Sequence, residues 1–421
     1  MLALLRQRNF ALLWFGGLIS LTGDWVLHAA LPFYIYQQTH STLATAALVA
    51  AELVPNLILG SIAGVFVDRW DRKQVMVVAS VLQTGVVLLL LLVHSAEWVW
   101  LVYLVSTVQT AIGTFFSPAE NALLPRLVHE ELLLPANALN ALNNNLARLI
   151  GPPIGGLLLS IGGLHVVVLL DSASFLVAGV LIGLLAVPPS APEAARHHAA
   201  DAKAIWGQFW REWLDGLQFI RGERLITALF IVLMVMNFGG VMIDPLYPAF
   251  VADVLGAGPQ AFGWLLTAWA IGGLLGGLMV GKLGKAMPPT RLLGWCSIIG
   301  GVLILAQFNI LALPVALATS FLLGPPNMAS RAAAQTLLQR HVPDAYLGRV
   351  VGALGTTIAI ASLVSVVGLA GALSEIVGLV PMLNVAVALN ILAGVLAFVI
   401  LPNSKHQNTL SEASDQETAA G

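Results

Sequence analysis

The feature that most constrains this chain is a succession of long apolar runs, each broken by only a few polar or turn-forming residues. A run of ~20 apolar residues, coiled as a helix, matches the hydrocarbon thickness of a bilayer. Inside lipid every backbone polar group has to be satisfied, so an unbroken apolar run can only be a helix. A transmembrane β-barrel is excluded, because its strands alternate apolar and polar residues. Composition agrees: of 421 residues 58% are hydrophobic and 10% charged. Soluble domains carry roughly 25% charged residues, and disordered chains have few apolar ones.

Twelve runs are distinguished, at approximately 10–36, 42–67, 74–93, 98–118, 138–160, 164–187, 222–250, 261–281, 291–310, 312–334, 347–373 and 378–401. The expected fold is an all-α polytopic membrane protein with twelve transmembrane helices. The break at His94 to Glu97 is short, and the hairpin at Asn309 to Leu313 is tight. Positive charge tests the count, because Lys and Arg favour cytoplasmic loops. All 19 Lys and Arg fall to one side when Arg148 is counted with the break before its run. The opposite breaks, such as Gln37 to Ser41, Ile161 to Gly163 and Glu375 to Gly378, hold none. Both termini are therefore expected in the cytoplasm. Arg6 and Arg8 lead straight into the first run without a small-residue cleavage site, so that run reads as a retained span.

The longest polar break begins with Pro188-Pro189-Ser190-Ala191-Pro192, a flexible linker. Beyond it Trp206, Phe209, Trp210, Trp213, Leu214 and Leu217 recur at helical spacing, with Lys203, Arg211, Glu212, Asp215 and Gln218 on the other face. This predicts an amphipathic helix on the inner membrane surface. The sequence on either side of the linker repeats at an offset of about 213. Pro32 and Tyr34 pair with Pro245 and Tyr247, Gly64 to Arg69 with Gly277 to Lys282, and Leu123 to Arg126, one residue further on, with Leu337 to Arg340. The expected organisation is an N-terminal six-helix bundle over 1–187, a cytoplasmic linker over 188–221, a second six-helix bundle over 222–402 and a disordered tail over 403–421. Two pseudo-symmetric bundles with a cavity between them are the architecture of a secondary transporter.

The break after the second run reads Gly64-Val65-Phe66-Val67-Asp68-Arg69-Trp70-Asp71-Arg72-Lys73. It resembles the cytoplasmic loop signature of the major facilitator superfamily, except that Asp71 stands where the family usually has glycine. The resemblance implies that Gly64, Asp68, Arg69, Arg72 and Lys73 form a conformational gate clamping the cytoplasmic ends of the halves. The fifth run contains Arg148-Leu149-Ile150-Gly151-Pro152-Pro153-Ile154-Gly155-Gly156, which is similar to the signature of the superfamily's exporters. Arg148, Gly151, Pro152, Gly155 and Gly156 are its candidate residues here, glycines permitting close helix approach. With the segment Pro118 to Ala138, these features resemble the drug- and siderophore-exporting, macrolide-efflux-like branch.

Ionisable residues inside a bilayer are costly and point to function. Asp24 sits near the middle of the first run with His28 one turn on. Burial disfavours the charged carboxylate, so such a group can take up and return a proton. Asp24 is the first candidate for proton coupling, His28 its relay and Glu52 the second candidate. A polar pair that merely fixes helix packing is the alternative. Trp25, Phe33, Phe238, Trp264 and Trp269, with Asp171 and Asp244, are candidates for a substrate cavity suited to bulky amphipathic molecules. Glu375 is placed at the outer rim.

Cys296 is the only cysteine, and no Walker A sequence, His-Glu-x-x-His motif or metal-ligand cluster is present. No cofactor, catalytic residue, metal or nucleic-acid partner is expected. The reading is a monomeric secondary transporter in the plasma (bacterial inner) membrane, a proton-coupled antiporter exporting an amphipathic or lipid-like small molecule. An uptake symporter or lysophospholipid flippase on the same fold remains open, as does a transport-dead sensor or scaffold.

Overall fold

The structure, a computed structural model, describes residues 2–67, 70–187 and 202–401. Every regular element among them is helical. After a short helical turn at Leu2–Leu5, α1 (Arg8–Thr39) ends at His40, a left-handed residue (φ 49°) whose N–H donates to the Tyr36 carbonyl at 2.8 Å. This cap turns the chain directly into α2 (Thr42–Val67). α3 (Arg72–Leu88) and α4 (Val99–Leu127) follow. α5 (Leu133–Gly183) is broken into two limbs at Gly163, whose φ of 65° favours glycine. α6 (Ala202–Gly222) is the linker helix. α7 (Arg224–Ala249), α8 (Pro259–Ala286), α9 (Pro289–Asn309), α10 (Leu313–His341), α11 (Asp344–Leu363) and α12 (Leu379–Ile400) complete the chain.

Ten stretches among the described residues are long and apolar enough to cross a membrane. One of these, 54 residues long, contains both limbs of α5. α10, with 29 residues, falls outside the ten because Pro325, Pro326, Asn327, Arg331 and Gln335 dilute its hydropathy. Counting limbs and α10, twelve crossing segments are present among the described residues, as expected. Several boundaries differ from the apolar runs. α4 continues nine residues past the expected end at 118, and α10 continues to His341. Both extensions are amphipathic helix packed on protein, which hydropathy alone does not register. The chain after α11 widens into π-helical turns over Val364–Leu373, a stretch that includes Gly368 and Gly371.

The chain forms two compact units. The first comprises residues 1–209, 244–270 and 366–379, the second 210–243, 271–365 and 380–421. The first unit has an apolar core around Phe10, Leu13, Met76, Leu123, Leu139 and Ile182. The second is built on Leu229, Val232, Leu293, Leu337, Ala393 and Ala397. In it Gly272 and Gly276 of α8 face Phe321, Gly324 and Pro325 of α10 with no room for a Cβ. Such small-residue contacts supply the close van der Waals packing that stands in for a hydrophobic driving force in lipid.

In the second unit Leu217 and Ile220 of α6 pack into the core, Gly216 abuts α11 at the Arg349 carbonyl, and Asp215 lies 3.8 Å from the Arg349 guanidinium. Trp210 and Leu214 are left exposed. The Trp206 and Phe209 side chains lie outside the described residues.

Candidate functional site

The first unit contains a cavity of about 350 Å³ walled by α1, α2, α3 and α4. α1 contributes Asp24, Trp25, Leu27, His28 and Leu31, and α2 contributes Glu52 and Asn56. α3 supplies Gln83, and α4 supplies Ser106, Gln109, Thr110 and Gly113. The i, i+4 spacing on α1 puts Asp24 and His28 one turn apart on the same face. Gln109 Nε2 donates to Asp24 Oδ1 at 3.1 Å. His28 Nδ1 lies 3.8 Å from Glu52 Oε2, and the Trp25 and His28 rings meet edge to face at 5.2 Å. Three sequence candidates for proton handling, Asp24, His28 and Glu52, thus share one polar cavity.

Sequence reasoning passed over Asn56, Gln83, Ser106 and Gln109, although amides inside apolar runs are themselves a costly signal. It also missed Glu120, because the fourth run was ended too early. That carboxylate lies in α4 and accepts from Asn140 at 3.4 Å.

Asp171 does not line this cavity. It lies on the second limb of α5, fully buried against α1 at Gly23. The other proposed cavity residues are dispersed. Phe33 is buried against Phe262, with ring centroids 5.7 Å apart. Trp264 is half-exposed and Asp244 exposed. Phe238 belongs to the second unit, where its carbonyl accepts from Ser365 at 2.7 Å.

The exporter-like stretch on α5 is a packing seam. A Cβ on Gly151 would strike Trp25, and one on Gly155 would strike the Val26 carbonyl of α1. On the other side Gly156 abuts the Pro259 carbonyl, and Gly263 of α8 abuts that of Pro152. The first limb of α5 is therefore wedged between α1 and α8 with backbone in contact. Arg148, one turn before Gly151, lies well inside the helix. Its guanidinium is 4.2 Å from the Trp269 ring centroid and 5.5 Å from that of Trp25.

In the loop signature, Asp68 and Arg69 lie outside the described residues, as does anything at Gly64 beyond its backbone. Asp71 is the N-cap of α3, its carboxylate accepting from the Gln74 N–H at 2.8 Å. This explains the departure from glycine, since Asp is a strong helix cap. Arg72 donates to the Ala122 carbonyl at 3.3 Å and Lys73 to the Leu185 carbonyl at 2.8 Å. These bases tie α3 to α4 and to the end of α5.

At the turn between α1 and α2, Tyr36 donates to Asp253. Thr45 Oγ1 donates to the Pro245 carbonyl at 2.9 Å, and Ser41 Oγ to Glu375 at 2.5 Å. Thr42 and Ser374 hydroxyls are 2.8 Å apart, and Gly371 packs on Leu43 and Ala46. Glu375, placed at the outer rim by the sequence, joins a hydrogen-bonded network there.

Over residues 1–419 the chain matches the family MFS_3, described as transmembrane secretion effector. Macrolide efflux protein A of Streptococcus pyogenes is 25% identical over 365 residues, covering 84% of this chain and 86% of that protein. The enterobactin exporter EntS of Escherichia coli O1:K1 / APEC is 29% identical over 346 residues, 79% of this chain and 78% of that protein. Among solved structures, a bacterial homologue of the iron transporter ferroportin superposes with a TM-score of 0.73 at 16% identity, covering 94% of this chain and 99% of that one. The nucleoside transporter NupG does so with a TM-score of 0.74 at 11% identity, covering 94% and 100%. At such identities the solved structures speak to the fold, which is the twelve-helix architecture of these transporters. An integral membrane transporter rather than an enzyme, the chain belongs to the transmembrane secretion effector family of the major facilitator superfamily.

Proposed function

We propose that the protein is a proton-coupled antiporter that exports an amphipathic small molecule by alternating access. The observation that carries this reading is the single cavity holding Asp24, His28 and Glu52 within the membrane-spanning region. A carboxylate there is worth its desolvation cost when it binds something, and a proton is the simplest partner. Protons enter from outside, neutralise Asp24 or Glu52, and bias the protein between outward-open and inward-open states. His28 relays between the two carboxylates. Export of an amphipathic compound is supported by relatives named for macrolide efflux and enterobactin export.

In this reading both termini are cytoplasmic, as the Lys and Arg distribution supports. The functional halves are 1–187 and 222–402, and the linker between them allows one to rock against the other. One chain supplies both halves, so the working unit is a monomer. Asp68, Arg69, Arg72 and Lys73 gate the cytoplasmic side. The Tyr36, Ser41, Thr45, Asp253 and Glu375 network closes the outer side and breaks on opening outward. The α5 seam, Gly151 to Gly156, lets α1 and α8 move against a close-packed backbone surface. Trp25 and Trp269, with Arg148 between them, flank the substrate path.

Purified protein in proteoliposomes, with an imposed pH gradient and a panel of a macrolide, a siderophore and a lysolipid, tests the reading. Substrate-triggered proton movement in wild type, lost in Asp24→Asn, is the expected result. Flux indifferent to the gradient would overturn proton coupling and leave a flippase. Accumulation in the direction opposite to export would make the protein a symporter.

A further inference from the structure

α4 walls a second cavity on its other face. The polar cavity takes Ser106, Gln109, Thr110 and Gly113 of this helix, whereas a groove of about 590 Å³ takes Thr107, Val108, Ala111, Ile112 and Phe115. At about 3.6 residues per turn the two sets lie on opposite sides of α4. α3 forms the facing wall with Val75, Val78, Ala79 and Leu82, whose i, i+3, i+4, i+7 spacing puts them on one face. Alanines at 79 and 111 leave the width that longer side chains would fill. The end of the groove at the start of α3 is formed by Trp70, Asp71 and Gln74.

Along its length the groove is open and apolar. Val78 and Leu82 are half-exposed, as are Val81, Leu89 and Leu92 in the same spanning stretch, which holds no charged residue after Lys73. An exposed, purely apolar face on a membrane-spanning stretch meets acyl chains. Thr107, the polar residue on the long walls, turns its hydroxyl to the Tyr103 carbonyl at 2.7 Å. Polar chemistry is thus gathered at the Asp71 end. The neighbouring bases do not balance Asp71: Arg72 donates to the Ala122 carbonyl and Lys73 to the Leu185 carbonyl. Neither ion pair found among the described residues involves Asp71. Beside it the half-exposed Trp70 ring lies 5.7 Å from the Phe66 ring and 6.3 Å from that of Phe115. A carboxylate next to open aromatic faces is the combination that holds an ammonium group.

We propose that this groove is a second binding site, which takes from the surrounding leaflet an amphiphile with an ammonium head and a single apolar body. The head meets Asp71 and Trp70, and the body lies between α3 and α4 against Val78, Leu82, Ile112 and Phe115. The same carboxylate repels an anionic head. The volume falls within the roughly 300–1,000 Å³ of sites for drug-sized ligands, and holds one such body rather than the two chains of a phospholipid. Because α4 walls both sites, a ligand in the groove bears on the helix that carries Gln109, the hydrogen-bond partner of Asp24 at 3.1 Å. That the ligand is of the cargo class rests on the export reading above; the site itself does not.

The test is photolabelling of the full chain in phosphatidylglycerol nanodiscs, with adducts mapped by peptide mass spectrometry. Two probes share a dodecyl chain bearing a diazirine and differ in the head, trimethylammonium or sulfate. Labelling is scaled to the exposed stretch Leu176 to Val180 on α5, which reports general contact with lipid-borne probe. On that scale the ammonium probe is expected to label 74–82 and 107–115 about fivefold more than the sulfate probe, a preference that one half-open charge contact supplies. Asp71→Asn removes the charge and keeps a good helix cap, and should bring the two probes level. Ala111→Leu, which narrows the groove and keeps Asp71, should lower labelling by the ammonium probe, and serves if Asp71→Asn does not fold. Equal labelling by both probes in wild type overturns the proposal, as does a preference that survives in Asp71→Asn, or in Ala111→Leu where that variant is the one available. Loss of the preference when phosphatidylethanolamine replaces half of the lipid would give the groove to a lipid headgroup and overturn it too. Export measured on the same preparations separates the two readings. Preferential labelling without export of any compound removes the export reading and leaves the site. Export without preferential labelling removes the site and leaves the export reading.

Discussion

The Tyr36 hydroxyl donates to the Asp253 carboxylate, joining α1 to the π-helical turn Phe250–Val254 that follows α7, 217 residues along the chain. The two partners come from opposite halves of the sequence yet lie in one compact unit. A hydrogen bond to a charged group contributes about 1.5–3 kcal/mol. Tyr36→Phe should therefore shift the closed-to-open balance at this end about tenfold or more. The check is maleimide labelling of a Leu43→Cys reporter in a Cys296→Ser background. An unchanged labelling rate would remove Tyr36 from the closure.

The cavity predicts a division of labour between its acids. Asp24→Asn should lower gradient-driven export about tenfold or more, corresponding to at least ~1.4 kcal/mol. Glu52→Gln, which removes the His28 partner at 3.8 Å, should change the pH profile while leaving the driven flux measurable. Both are read in proteoliposomes as initial rates across a pH series. Identical profiles for the two variants would mean that neither acid has a separate role.

The α5 seam predicts steric intolerance. Gly155→Ala places a Cβ into the Val26 carbonyl and Gly151→Ala one into Trp25. Overpacking of this kind costs on the order of 1–3 kcal/mol. Gly60→Ala, with nothing within 4 Å of the new Cβ, is the control and should be neutral or slightly stabilising. Melting temperatures of the purified variants in detergent decide it.

Asp71 predicts a local effect at the start of α3. Asp71→Ala should cost about 1 kcal/mol of cap stability and Asp71→Gly only a few tenths. Hydrogen exchange at the Gln74 amide, which donates to the Asp71 carboxylate at 2.8 Å, reports it directly. Equal protection in all three proteins would show that the cap does not hold the helix start.

Arg148 predicts that lysine is a poor substitute. The guanidinium carbon lies over the Trp269 ring, 4.2 Å from its centroid, and a compact ammonium on a different stem does not reproduce that contact. Arg148→Lys should cost about 0.5–2 kcal/mol of packing and alter the tryptophan fluorescence. Wild-type melting and emission in the variant would contradict a stacking role.

Hydropathy is a property of consecutive residues, so the order of apolar runs was enough to determine twelve crossing segments, their connections and the fold class. Charge placement is equally local, and it carried the orientation argument. Asp24 and His28 could be placed on one face because i, i+4 neighbours adjoin on any helix. Which helices approach which, and at what rotation, depends on contacts between residues far apart in sequence. Gly23, Gly151 and Gly155 set how closely α5 meets α1. That approach sends Asp171 behind α1 rather than into the cavity, and brings Glu52, Gln83 and Gln109 around Asp24. The Tyr36–Asp253 contact carries no sequence signal, because nothing in either segment specifies its partner. The sequence by itself determined what enters the membrane and in what order. Only the tertiary structure decided which buried polar groups meet, because close packing between distant segments, not hydropathy, positions them.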